Sequence, residues 1–368
     1  MKNIIIGAGV SGASIASLIA NDLQEKVLVV DKKPHIAGNC YDYKDENGIM
    51  IHKYGSHIFH TNDENVWNFV QKFADFNTYM HKVIGIVDGI ETHIPFNFNS
   101  LYDVFPKNLA KRLEDKLLSS FDYNTKVPIL EFQKQEDEDL KFLANYIYEK
   151  IFLNYTIKQW GINPNEVDSA VTARVPVFLS KDDRYFQDKY QGIPKKGYTN
   201  LVENMLNHKN IKVKLNFDYK NLDLSCYDRV FVTSSIDEYF DYKYGVLPYR
   251  SVNFKLETYN MPFYQSNAVI NYPCNYDFTR IHEYKYYLKD NSSKKTVIAK
   301  EYSEDFEIGK NDRYYPILKE ENKEIYNKYL LEASSLSNAY FLGRLGDYQY
   351  YDMDKAIKRA LELFEEIK

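Results

Sequence analysis

KNIIIGAGVSGASIASLIANDLQEKVLVVD, residues 2–31, is the stretch on which the fold turns. An apolar run, Asn3 to Ile6, enters a turn with glycines at Gly7, Gly9 and Gly12. Behind it Ala13, Ala16, Ser17 and Ala20 recur at helical spacing, small residues where a helix must lie close on a sheet. KVLVVD then reads as a second strand that ends at Asp31. The whole is a βαβ unit of a parallel sheet. The first twenty residues also have the look of a secretion signal: one lysine, an apolar core, small residues at the end. The glycine spacing and the strand that follows favour the βαβ reading.

In that context each position of the GxGxxG has a role. Gly7 makes the tight turn, Gly9 lets a pyrophosphate approach the backbone, and Gly12 lets helix and strand pack. Val10 and Ser11 open a helix whose first N–H groups suit phosphate oxygens, and Asp31 accepts ribose hydroxyls. A glycine-rich turn of an ordinary α/β protein is the alternative. After Asp31 the chain continues KKPHIAGNCYD. A glycine-containing turn at this place resembles the extended fingerprint of the glutathione-reductase-like flavoproteins, and the resemblance implies FAD, with Lys32, Gly38 and Asn39 beside its ADP half. The chain holds a single GxGxxG, so it offers no second unit for NAD(P)H to reduce a flavin on every turnover.

The bulk numbers set limits. With 368 residues the chain has room for a sizeable core and more than one domain. Its 47 basic and 52 acidic side chains leave a net charge of −5, which gives no general attraction for nucleic acid or an anionic membrane. Cys40, Cys226 and Cys274 lie far apart without a CxxC pair, which suits a reducing compartment and neither a disulfide framework nor a zinc knuckle. No later segment approaches the roughly 18 apolar residues of a membrane span. The expectation is a cytoplasmic protein.

Further along, residues 62–75 read as a helix with Asn62 or Asp63 as its N-cap. Residues 97–160 are charged and helix-like, 210–235 return to strands, and 245–305 carry short β-prone runs of an antiparallel sheet. AYFLG and MDKAIKRALELFEEI close the chain as strand, turn and amphipathic helix, with Met353, Ala356, Ile357, Ala360, Leu361 and Phe364 as the apolar stripe. The fold class expected is α/β: a Rossmann-like FAD-binding domain (1–75, 193–241 and 336–368), an inserted helical domain (97–170), and a twisted antiparallel-sheet substrate domain (76–96, 171–192 and 242–335).

KYGSHIFHT, residues 53–61, holds His57 and His60. Their rings are open to three readings: metal ligands, members of a relay, or packing around something flat. A metal would want further ligands at close spacing, and neither HExxH nor CxxC is present. Arg174 lies in TARVP and Arg280 in FTRIHE. A structural salt bridge is the bland reading of either.

With NYTIKQWG (154–161), DRYFQDKYQGIPKKGYTNLVENM (183–205) and GRLGDYQYYDMD (343–354), these stretches are similar to those of the prokaryotic UDP-galactopyranose mutases, in the same order and over essentially the whole chain. The resemblance implies an enzyme that interconverts UDP-galactopyranose and UDP-galactofuranose on reduced FAD, through a covalent bond between flavin N5 and the sugar, with no net redox change. It places His57, Ile58 and His60 against the flavin, His60 nearest N5, and adds Arg344, Tyr351, Asp352 and Met353 as flavin contacts. Asp352 is also expected to cap the last helix, whose N-terminus would stabilise the anionic reduced flavin. Arg174 and Arg280 become diphosphate ligands in catalysis. Tyr155 stacks on uracil with Phe152 and Thr156 nearby, and Trp160 and Arg250 lie on the sugar side. Asn271 is a nucleotide-side contact, and Tyr185, Tyr314 and Tyr350 hydrogen-bond the diphosphate. A homodimer is the family's usual state. The alternative function is a flavin oxidoreductase of the amine-oxidase type, which has no reason to carry the arginine pair or YTIKQW.

Overall fold

Five strands form a parallel sheet in the order Ile211–Lys214, Val27–Val30, Asn3–Ile6, Arg229–Val232, Ala339–Phe341 in the computed structural model, which describes residues 2–162, 176–289 and 292–368. III (residues 4–6) and VLVV are unbroken apolar runs, and every residue of both strands is buried, as strands covered on both faces require. The helix Val10–Asp22 joins them, with Ala13, Ala16, Ser17 and Ala20 all buried. It packs against the last helix, Met353–Ile367. Beginning, middle and end of the chain thus supply one sheet.

The chain divides into two compact units. The first takes Met1–Tyr79, Asp188–Tyr249 and Arg313–Lys368, the second Met80–Gln187 and Arg250–Asp312. The helical and sheet segments expected as separate domains share the second unit. Residues 313–335, assigned on sequence to the sheet domain, go with the first, where the helix Glu320–Ala333 packs on Ile236–Tyr239.

In the first unit a short antiparallel sheet sets Tyr190–Pro194 between Phe59–Thr61 and Phe76–Thr78. The helix expected over 62–75 spans Glu64–Gln71, and Asp63 caps it by accepting from the N–H groups of Asn65 and Val66. The last helix buries Ile357, Ala360, Leu363 and Phe364. Of the expected stripe, Met353, Ala356 and Leu361 are only half-buried, Leu363 joins the buried face, and Asp354 in the first turn is buried too.

The second unit carries an antiparallel sheet in the order Tyr249–Tyr259, Thr296–Asp305, Arg280–Glu283, Val269–Asn271, Val83–Val87, Ile90–Ile94, with one parallel pair, Val269–Asn271 on Val83–Val87. Helices Phe98–Val104, Lys107–Ser120 and Glu138–Ile147 close its core through Leu101, Leu113, Leu117, Leu140, Leu143 and Ile147. Tyr148–Leu153 then widens into a π-helical turn before Asn154–Trp160. Such turns gather at functional sites. Among the described residues no helix is long and apolar enough to cross a membrane.

Candidate functional site

The first unit builds a cradle around the glycine turn. Gly7 sits at φ +111°, and a Cβ on Gly12 would lie 2.0 Å from the carbonyl oxygen of Gly7, so both positions demand glycine. Gly9 is the helix N-cap and offers no side chain to the first N–H groups, and the first turn holds no acidic residue. A tight turn feeding an uncapped helix N-terminus fits a pyrophosphate. Val10 and Ser11 form its opening turn, and Ser11 touches Gly343, where a Cβ would lie 2.7 Å from the serine Oγ. The C-terminal string is thereby set against the glycine turn.

Asp31 accepts the N–H of Ala8 on Oδ2 at 2.7 Å and that of Lys33 on Oδ1 at 2.8 Å. These bonds tie the end of the second strand to the turn, and a carboxylate with about four lone-pair sites still has room for ribose hydroxyls. Lys32 pairs with Asp218 at 3.4 Å and with Glu238. Asn39, in the short turn Gly38–Cys40, donates to the carbonyl of Arg313 at 3.3 Å.

The two histidines separate cleanly. His57 donates from Nδ1 to the carbonyl of Gly55 at 2.8 Å, and its backbone N–H donates to Nδ1 of His52 at 3.1 Å. Burial, aided by the nearby His52 and Arg344, pushes its pKa down to about 3, so the ring is neutral and serves as packing, edge-on to Tyr198. Ile58 is half-buried beside it. His60 lies opposite Gln191 in the short sheet, with Nδ1 2.8 Å from Oδ2 of Asp188. Asp188 lies within the quoted string DRYFQDKYQ, yet its tie to His60 is invisible in sequence, since 128 positions separate them.

Arg344 organises the C-terminal turn. Its Nε donates to the carbonyl of Tyr351 at 3.0 Å, Nη2 donates to the same oxygen, and Nη1 donates to the carbonyl of Tyr314 at 3.2 Å. The guanidinium lies over the Tyr350 ring, 5.5 Å from its centroid. Asp352 occupies the N-cap of the last helix by backbone position, and Met353 opens that helix. Contrary to expectation, the Asp352 side chain makes no capping bond: the extended ψ of 170° sets the backbone for a cap, but the carboxylate does not reach the first-turn N–H groups.

In the second unit, cross-strand register aligns Asn271, Arg280 and Glu301 on three neighbouring strands. Arg280 donates from Nε to Oε2 of Glu301 at 2.8 Å, and Nε2 of His282 lies 2.8 Å from the same oxygen. Burial alone would raise the Glu301 pKa; Arg280 and His282 overcome it and hold the carboxyl at about 2. His282 is itself pushed toward neutrality by burial, so Arg280 is the charge that keeps Glu301 ionised. Beside them Oδ1 of Asn271 is buried without a hydrogen-bond partner among the described residues. A buried acceptor without a partner has lone pairs available to a donor.

The aromatic helix end lies in this unit too. Tyr155 is half-buried, Trp160 is 6% exposed, Thr156 is buried, and Phe152 belongs to the helical core. Arg250, expected beside the sugar, is engaged by the protein: Nε donates to the carbonyl of Gln159 at 3.0 Å, Nη2 to Ser303 Oγ at 3.2 Å, and Nη1 to Asp305. Lys158 donates to the carbonyls of Tyr276 at 3.1 Å and Phe278 at 3.0 Å, tying the helix to the loop before Arg280. Tyr185 donates its backbone N–H to the carbonyl of His81 at 2.7 Å. Arg174 lies outside the described residues. Glu301, Asp188 and Lys158 anchor polar contacts within their own units and escaped sequence reasoning; Asp188 and Lys158 lie inside quoted strings, yet nothing in those strings marks their partners.

A family model described as UDP-galactopyranose mutase matches residues 150–350, and one described as an NAD(P)-binding Rossmann-like domain matches residues 5–73. A probable UDP-galactopyranose mutase of Klebsiella pneumoniae is 39% identical, over 99% of this chain and 94% of its own length. The chain belongs to the UDP-galactopyranose mutase family. Membership makes it an FAD enzyme of the mutase type. A dTDP-fucopyranose mutase of Escherichia coli is 38% identical, over 98% of this chain and 97% of its own. The crystal structure of a reduced UDP-galactopyranose mutase shares the fold, with a TM-score of 0.74 over 100% of this chain and 93% of that one at 16% identity. A putrescine oxidase shares it at a TM-score of 0.59, 9% identity, over 100% and 98%. The fold therefore admits oxidases as well as mutases, and sequence makes the choice.

Proposed function

We propose that the enzyme interconverts UDP-galactopyranose and UDP-galactofuranose on reduced FAD without net oxidation of the sugar. The observation that carries this reading is the row Asn271, Arg280, Glu301, in which a buried carboxylate holds a guanidinium beside an open acceptor. A planar cation so anchored suits a nucleoside diphosphate.

Each residue then has a task. The turn Gly7–Gly12 binds the FAD pyrophosphate, Asp31 takes a ribose, and His60, Arg344 and the turn at 351–353 line the flavin ring. The last helix directs its N-terminal partial charge toward a negatively charged reduced flavin. Arg280 and Arg174 grip the substrate diphosphate, with Tyr185, Tyr314 and Tyr350 as hydroxyl donors, and Tyr155 stacks on the base. Phe152, Thr156 and Arg250 act from behind by holding the helix that presents Tyr155 and Trp160. When bound, the reduced flavin would supply a nucleophilic N5 for chemistry at the sugar C1. Opening and closing the sugar ring need a held sugar and excluded water, which the aromatic residues provide. A cytoplasmic homodimer completes the reading.

A second substrate, dTDP-fucopyranose, is favoured by one observation: the two kinds of relative differ by a single percentage point of identity. The test incubates reduced enzyme with UDP-galactopyranose and, in parallel, dTDP-fucopyranose, and seeks a furanose product by chromatography. Turnover of the second alone would replace the first reading.

A further inference from the structure

We propose that Asp188 fixes the tautomer of His60, so that the imidazole carries its proton on Nδ1 and keeps the lone pair on Nε2. The functional consequence rests on the reading of His60 as a flavin-side residue; the tautomer itself rests on geometry alone.

The wiring starts at the backbone. The N–H of Lys189 donates to Oδ1 of Asn62 at 2.9 Å, which fixes which end of that amide faces which neighbour. Nδ2 of Asn62 must then donate to Oδ1 of Asp188, as it does. The second oxygen, Oδ2, lies 2.8 Å from Nδ1 of His60. An ionised carboxylate only accepts, so Nδ1 carries a proton; in the neutral ring, which has a single N–H, the lone pair then lies on Nε2.

Both partners are pinned. His60 faces Gln191 in the antiparallel ladder, and Nε2 of Gln191 donates to the carbonyl of Asp188 at 2.8 Å. The next residue, Thr61, donates to Oδ2 of the buried Asp354 at 3.1 Å in the last helix. The His60 and Asp188 side chains are only 13% and 23% exposed, so water competes weakly for this bond. Asp188 is thus a positioning residue that acts through His60. Reduced flavin carries a hydrogen on N5 and is a donor there, whereas oxidised N5 is an acceptor. An imidazole that keeps its lone pair on Nε2 favours the reduced form; the opposite tautomer favours the oxidised one.

Asp188→Asn is the decisive variant. Asn62 still donates, so the new amide must turn its oxygen to Asn62 and its NH2 to His60. Nδ1 then becomes an acceptor and the proton moves to Nε2. Adding Asn62→Ala frees the amide to rotate and restores the original tautomer. The readout is the 15N–1H correlation spectrum of histidine-labelled, flavin-free protein, with His60 assigned from a His60→Gln sample. The expected result is Nδ1–H in the wild type, Nε2–H in Asp188→Asn, and Nδ1–H again in the double variant. Nε2–H in the wild type, or no change in Asp188→Asn, overturns the proposal, and the wild-type spectrum decides even where a variant does not fold. In the flavin-loaded enzyme Asp188→Asn lowers the flavin midpoint potential and cuts kcat on the order of 10- to 100-fold with KM little changed, and the double variant recovers both. A switched tautomer with an unmoved potential upholds the hold of Asp188 on His60 and removes His60 from the flavin.

Discussion

Arg250 donates its Nε–H to the carbonyl of Gln159 at 3.0 Å, next to Trp160 at the end of its helix. A cation at a helix C-terminus satisfies carbonyls that have no partner within the helix and opposes the negative end of its dipole. The family resemblance puts this arginine near the sugar; in the structure it holds the carbonyls of Lys158 and Gln159 at the helix end beside Trp160. Arg250→Ala should therefore cost roughly 1.5–3 kcal/mol of stability in urea unfolding, the range for hydrogen bonds to a charged group. Trp160 fluorescence should respond to UDP more weakly. Unchanged stability together with lost UDP binding would make Arg250 a direct ligand instead.

Arg280→Ala should weaken UDP binding by roughly 1.5–3 kcal/mol, or about 10- to 150-fold in Kd, measured by calorimetry. The variant also strands Glu301, which is buried and ionised, so stability falls as well. Arg280→Ala with Glu301→Gln should recover stability and leave binding lost. Recovery of both would mean that Arg280 serves the fold and not the ligand. Arg174→Ala should weaken UDP to a similar degree.

The parallel sheet was legible because its cause is local: unbroken apolar runs, small residues at helical spacing and a glycine turn lie within thirty residues. The N-cap was narrowed to Asn62 or Asp63, and the structure takes Asp63. What sequence left dark were contacts set by sheet register. Arg280 and Glu301 meet only because their strands pair, and Asp188 reaches His60 only because Gln191 lies opposite it. The π-helical turn at Tyr148–Leu153 left no mark on the helical periodicity around it. Arg250 was legible as a functional-looking arginine, but whether it faces a ligand or a helix end is a matter of packing.

His57 gives the fold a pH dependence of definite sign. Folded, it stays neutral to about pH 3, whereas an unfolded imidazole protonates near 6.5. Between those values the unfolded chain binds the extra proton, so this contribution is whole above 6.5 and is lost as pH falls toward 3. The slope is at most about 1.4 kcal/mol per pH unit. Asp347 works the other way: burial lifts its carboxyl from 3.8 to about 6, so it is the folded state that holds a proton in that interval. The comparison must accordingly be between proteins. His57→Gln should flatten the fall in unfolding free energy between pH 6.5 and 4 relative to the wild type, and an unaltered slope would contradict the neutral ring.

One round of flavin reduction should support many turnovers in the absence of oxygen, and the oxidised enzyme should be inactive. Pyranose and furanose are isomers, so the reaction has no electrons to deliver. The chain carries one GxGxxG, at Gly7–Gly12, and thus a single dinucleotide cradle in its sequence. The groups gathered in the first unit are suited to a reduced, negatively charged ring: Arg344 with its guanidinium fixed by the carbonyls of Tyr351 and Tyr314, and a final helix whose N-cap side chain makes no bond to the first-turn N–H groups. Each opposes negative charge with positive or partial positive charge, which raises the reduction potential of whatever ring lies there. An oxidase on the same fold would behave otherwise, consuming one oxidant for each product. The measurement is product formed per flavin reduced, in a sealed cuvette with UDP-galactopyranose after a single addition of dithionite. Product well in excess of flavin fits the mutase reading; product limited to one per flavin, or full activity before reduction, rules it out.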